Sequence, residues 1–509
     1  MKKLFLYLLA AVLAVAGCTK NDPEPSSEPS EKDIDGFLQE VFWAQNDDLY
    51  YEVISKQRLT PEELVESVFG PEDKLDEEEL AIKEAFLKRC DEKLEELRKE
   101  DPDGAAAIYF DRTFFKYHTV DQNGNRIELS AFVGWAIHRF PWWPYDQNHV
   151  LLCCPYTHTK EDECATESNN GFGGGYEFLT MLHDNLFIMP DGQGFGTNKD
   201  KVQTYLNHNL HAQQYYDALK VGQKIYLDEH GKLEDDWTLR VVGASQGGGD
   251  AIALHKYLDT HYDKIDLTEC YESKDPFQRI KANQLCKLYG YPQGTKIIEA
   301  PFRDIHRFEF SYVCCGPYSP EVTMQTYSKW GQMSYPCVIP LVIKSMLACY
   351  PNELKKYREE DFFSGKWNSN KADFDNIYLK KTMKSDDLNE YICEKLGIKI
   401  KDHIPMAPLD SILSKSMLDT TSQIYKDLMT CLKKQDLTRG WTPRTKTKLH
   451  FTSNDEVVPY ANTQKLIELF KASNCTYKTV DRSWAPSQSK VPVGHVGCCS
   501  DYIQSSWDW

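Results

Sequence analysis

Apolar residues recur at helical spacing from residue 34 to about residue 103. In LTPEELVESVF, Thr60 is placed to cap a helix that has Pro61 at its first position, and LDEEELAIKEAFLKRCDEKLEELRKE continues the helical pattern. The period then changes. AAIYFDRTFFKYHTV and RIELSAFVGWAIHR alternate as strands about a Gln122-Asn123-Gly124 turn, which predicts a hairpin. NHVLLCCPYTH, DNLFIMPDGQGFG and LRVVGASQ follow, each an apolar run closed by Pro, Gly or polar residues, with the helical TYLNHNLHAQQYYDALKVG between the last two. A hairpin followed by alternating strands and helices predicts an α/β fold, a doubly wound and mostly parallel sheet, preceded by N-terminal helices. Sites in such sheets lie at the carboxyl ends of the strands. No repeat of 20 to 50 residues is visible, which excludes solenoids and propellers.

The start of the chain carries a different pattern. MKKLFLYLLAAVLAVAGC has two lysines, an apolar run too short to span a bilayer well, and small residues before Cys18. Val15-Ala16-Gly17-Cys18 resembles a lipobox, which implies that residues 1–17 are a lipoprotein signal peptide and that Cys18 is acylated. Residues 18–33, rich in Pro, Ser and Glu, are expected to be a disordered tether. The acidic residues after Cys18 look like the export signals of some Bacteroidota surface lipoproteins. The expected location is therefore the bacterial cell envelope, anchored by lipid to the outer membrane or displayed at the cell surface.

Composition narrows the partners. The 509 residues are 41% hydrophobic, enough for one large core or two ordinary ones, and the net charge of −18 is spread along the chain. That charge argues against nucleic acid and against a basic membrane-docking surface. Apart from Cys18 there are fifteen cysteines, several inside apolar runs such as LLCCPY and SYVCCGPY. Without CxxC spacing or clustered histidines they suggest core thiols, with no structural zinc expected.

The candidate chemistry centres on VVGASQGGGDAIALHKYL, which joins a buried strand to a helix. Gly243-Ala244-Ser245-Gln246-Gly247 fits the nucleophile elbow, in which flanking glycines let strand and helix approach while a strained turn lifts the serine above the sheet. A serine needs a base, and the order serine, acid, histidine points downstream. Asp455 stands in the turn after KTKLHF, and His495 lies between glycines after the last strand. Glu456 and Asp481 are alternative acids, while His450 sits inside a strand. His495 would take the Ser245 proton, with Asp455 fixing its tautomer. The oxyanion would be held by the backbone N–H of Gln246 and by that of Tyr156 or Thr157. Pro155 stands where a His-Gly pair is common, and His158 is expected to bond backbone. No cofactor or metal is required.

Together the elbow, SNDEVVPYANTQ, GHVG and MPDGQGFGTNKDKVQTYLNHNLHAQQYYDALK resemble the α/β-hydrolase superfamily, especially secretory-lipase-like esterases of Bacteroidota. The resemblance spans roughly residues 105 to 320 and 440 to 509. It implies an α/β-hydrolase fold in two parts, 104–320 and 445–509, with the acid and histidine in the second. Residues 34–103 would be a helical accessory segment, and 321–444 a helical cap over the site. The expected activity is a lipid-anchored serine esterase acting on glycan, lipid or small-molecule esters. Two alternatives stay open: a serine peptidase of the same fold, and a non-catalytic glycan-binding lipoprotein. The aromatic runs Phe140-Pro141-Trp142-Trp143-Pro144-Tyr145 and Trp507-Asp508-Trp509 are the stacking surfaces the last would need.

Overall fold

The computed structural model describes residues 31–69, 77–100, 108–138, 149–166, 185–231, 237–400, 406–485 and 488–505. The signal sequence, Cys18 and the aromatic runs at 140–145 and 507–509 lie outside the described residues. Two compact units are present. Met1–Val41 with Asp266–Ile298 form the smaller, and Phe42–Ile265 with Glu299–Trp509 the larger. In the smaller, the Lys281 ammonium lies 5.3 Å from the Phe37 ring centre.

The larger unit is built on a sheet of nine strands, numbered in chain order as β1 (Tyr51–Leu59), β2 (Ile108–Val120), β3 (Arg126–His138), β4 (His149–Cys154), β5 (Asn185–Pro190), β6 (Thr238–Ala244), β7 (Phe308–Cys314), β8 (Lys446–Phe451) and β9 (Tyr477–Asp481). Their spatial order is β1-β2-β3-β5-β4-β6-β7-β8-β9. Pairing is antiparallel from β1 to β5 and parallel from β5 to β9. The change follows from sequence. β2 and β3 are joined by the expected tight turn, where Asp121 accepts N–H bonds from Asn123 and Asn125 at 2.8 Å and Gly124 takes φ +78°. By contrast β4 and β6 are short apolar runs, buried along most of their length and joined through long crossovers.

Two expectations need correction. The segment 34–103 is not wholly helical: helices α1 (Glu31–Gln45), α2 (Pro61–Phe69) and α3 (Glu77–Glu100) are interrupted by β1. YEVISKQRL is mostly exposed, so no buried stripe reveals it, and its pairing with β2 supplies the order. Arg58 locks that edge by a two-pronged contact to Asp111 at 2.6 and 2.7 Å. The helix α1 also begins at Glu31, inside the stretch expected to be a tether.

Between β7 and β8 the chain forms a run of short helices around an apolar cluster that contains Met333, Phe362, Trp367, Ile392 and Leu428 and takes in Tyr205 and Leu206 from between β5 and β6. Among the described residues no helix is long and apolar enough to cross a membrane.

Candidate active site

Strand β6 ends at Ala244, and helix α5 (Gln246–Thr260) starts two residues later. Ser245 makes this reversal alone, with φ 55° and ψ −123°, a conformation that costs a non-glycine residue strain energy. The flanking glycines explain why the turn closes. A Cβ on Gly243 would collide with the carbonyl of Gly247, and one on Gly247 would meet the carbonyls of Cys154 and Pro155. Both positions exclude a side chain because backbone approaches backbone. Ser245 N–H donates to the Cys314 carbonyl at 2.9 Å, tying the elbow to the end of β7.

Beneath the elbow, α5 is clamped to helix α4 (His208–His230) by a buried network. The Asp250 carboxylate lies 2.8 Å from His208 Nδ1 and 3.0 Å from His211 Nδ1. These two partners hold its carboxyl well below the usual carboxylate range, against the burial that would raise it. Sequence reading missed this network, although His208 and His211 stand three apart on a predicted helix.

His495 Nε2 lies 3.0 Å from Ser245 Oγ, and His495 Nδ1 lies 2.8 and 3.0 Å from the two Asp455 oxygens. Asp455 and His495 are buried, while Ser245 is half-buried and lines a cavity. Asp455 Oδ1 also accepts the N–H groups of Val457 at 3.0 Å and Val458 at 2.6 Å. Burial raises the Asp455 carboxyl, opposed by His495 and by the Val458 N–H. For His495, burial alone would lower its affinity for a proton, but the charge of Asp455 outweighs it and lifts the group well above the usual 6.5. The partners fix the tautomer: Nδ1–H donates to Asp455, leaving Nε2 to accept from Ser245.

The alternative acids do other work. Glu456 accepts the His495 backbone N–H at 3.0 Å, and Asp481 accepts the Ser483 N–H at 2.9 Å. His450 is buried with Nδ1 2.9 Å from Tyr312 Oη. His495 is not in a loop but opens helix α6 (His495–Ser505), which the glycines in GHVG conceal. Gln246 stands at the first position of α5, where its backbone N–H has no partner within the helix. Tyr156 and Thr157 both line the cavity beside Ser245, and Thr157 Oγ1 bonds Tyr205 Oη at 2.8 Å. His158 does not line it. Burial drops His158 to about 3, and its ring stands edge-on to Tyr156 and Phe195.

The cavity above Ser245 has a volume of about 530 Å³. Its walls are mainly apolar side chains of the inserted helices, among them Met324, Val338, Val342, Met417 and Leu428. Tyr327 of this layer donates its hydroxyl to the Val457 carbonyl, next to the acid turn. Lys384 and Asp386 give one part of the wall a polar character.

Comparison with solved structures matches this architecture. The chain is similar to the rice cell wall degrading esterase LipA of Xanthomonas oryzae, with TM-score 0.55 and 15% identity over 90% of this chain and 95% of that one. It is also similar to a provisionally assigned hydrolase from Legionella pneumophila, with TM-score 0.56 and 14% identity over 90% and 96% of the two chains. The chain has the α/β-hydrolase fold. No protein-family model matches it, and no curated protein matches it by sequence. Within this fold the elbow follows a central parallel strand, as β6 does here, and the acid and histidine follow later strands.

Proposed function

We propose that the protein is a serine hydrolase of carboxylic esters that works through an acyl-enzyme on Ser245. The observation that carries this reading is the single imidazole of His495, within 3.0 Å of Ser245 Oγ and 2.8 Å of Asp455. His495 Nε2 takes the hydroxyl proton as Ser245 Oγ attacks the ester carbonyl carbon. The tetrahedral oxyanion is held by the Gln246 N–H and by the N–H of Tyr156 or Thr157. Collapse breaks the bond to the alcohol, which leaves with the proton from His495. Water then enters, gives its proton to the same nitrogen and releases the acid, restoring Ser245. Asp455 stays ionised and offsets the charge of the transient imidazolium.

The apolar wall over Ser245 favours an ester with a hydrocarbon acyl group. The likeness to an esterase supports the choice of ester over amide. Anchoring through acylated Cys18 is part of the same proposal, because MKKLFLYLLAAVLAVAGC has the layout of a lipoprotein signal. It is tested by mass spectrometry of the mature N-terminus.

Reaction of the protein with a fluorophosphonate probe, followed by peptide mapping, tests the mechanism. Label on Ser245 together with hydrolysis of acyl esters is the expected result. A folded protein that takes no label and turns over no ester would be a binding lipoprotein instead.

A further inference from the structure

Four thiols lie close to the triad, and the ester mechanism uses none of them. Cys314 ends β7 and Cys315 follows it with φ 45°; Cys498 and Cys499 lie three and four residues past His495 on α6. Cys314 Sγ is 3.9 Å from Cys498 Sγ and 4.0 Å from Cys499 Sγ. The Sγ atoms of Cys314, Cys315 and Cys498 all lie within 4.8 Å of one another. Four sulfurs bound tetrahedrally at about 2.3 Å from a zinc-like ion stand about 3.8 Å apart. Cys314, Cys315 and Cys498 thus approach the spacing of a filled site, on two anchored elements, with Cys499 beside Cys314. Cys315 N–H donates to the His450 carbonyl at 3.2 Å, and Cys498 N–H to the Gly494 carbonyl at 3.0 Å. Cys499 lines the substrate cavity, which supplies an entry path.

We propose that Cys314, Cys315 and Cys498 bind one soft divalent cation beside the triad. Binding breaks three S–H bonds, releases the protons to solvent and forms three metal–sulfur bonds without oxidation or reduction. Cys499 Sγ is 4.0 Å from Cys314 Sγ and 3.9 Å from His495 Nε2, and Cys315 Sγ lies within 4.8 Å of ligand atoms of both His495 and Asp455.

The site is tested with Cd2+ added to the reduced full chain. The expected result is one ion retained per chain after desalting, with Cys314, Cys315 and Cys498 protected from alkylation in peptide maps. Cys498→Ala should weaken retention by more than about tenfold while leaving metal-free ester turnover near that of the parent. The thiol protection map of the parent decides the matter if that variant does not fold. No retained ion, protection of other cysteines, or a Cys314–Cys498 disulfide in the isolated protein would each overturn the site. Metal-free protein without ester turnover sinks the ester reading but leaves the ion test intact.

Discussion

At the scale of single residues, the site rests on how one imidazole divides its two nitrogens. Ser245→Ala removes the atom that forms the acyl bond, and turnover should fall by about 10⁶-fold. The melting temperature should stay within about 2 °C of the parent, because Ser245 is half-buried and its hydroxyl packs little. Asp455→Asn keeps the shape but presents an N–H where Nδ1–H must donate, so kcat should drop by about 10⁴-fold. The pH profile carries a sign. His495 acts as a base only when unprotonated, and Asp455 lifts its titration above 6.5. Activity therefore falls as pH drops through a limb on the alkaline side of the ordinary histidine value, and a kcat/KM limb at or below 6.5 would contradict the pairing. These three residues were legible because each stands at a recognisable junction: serine within glycines after a strand, aspartate in a turn before Val-Val-Pro, histidine in GHVG. The partners that steady them were not. Nothing local in Glu456 or Asp250 announces a bond to the His495 backbone or to two buried histidines.

Elements show where patterning succeeds and where it stops. The strands β2 to β8 were readable because burial imposes alternation on the hairpin and continuous apolar runs on the central strands. An edge strand has no such duty. β1 keeps its side chains in solvent and is held by backbone pairing and the Arg58–Asp111 contact, information that resides in β2 and not in its own residues. The elbow is the opposite case, since its sequence is dictated by collisions. Gly247→Ala would drive a methyl into the Cys154 and Pro155 carbonyls, with an expected loss of about 1–3 kcal/mol in denaturant unfolding. Ester turnover should fall with it, because the same shift displaces the Gln246 N–H from the oxyanion.

Over the whole molecule, the cavity is an assembly of distant parts. Tyr156 and Thr157 come from the loop after β4, Met417 and Leu428 from the inserted helices, and Val457 from the acid turn. A helical insertion before the acid was foreseeable from its position and periodicity. The shape of the cavity was not, because it depends on how several short helices pack around Phe362 and Trp367. Filling the cavity tests its use: Val342→Trp should depress kcat/KM for long acyl esters by about tenfold or more, and leave acetyl esters nearly unaffected. Equal loss on both would place the acyl group elsewhere.

Ser245 and His495 are 250 residues apart in the chain. During synthesis the elbow can form once β4, β6 and β7 have met, yet the base leaves the ribosome 250 residues after the serine. Loop closure over such a span makes these contacts slow to form. A chain in which the later elements have not yet docked would carry a strained but chemically idle serine, and hydrolytic activity would serve as a report that β8, β9 and α6 are in place.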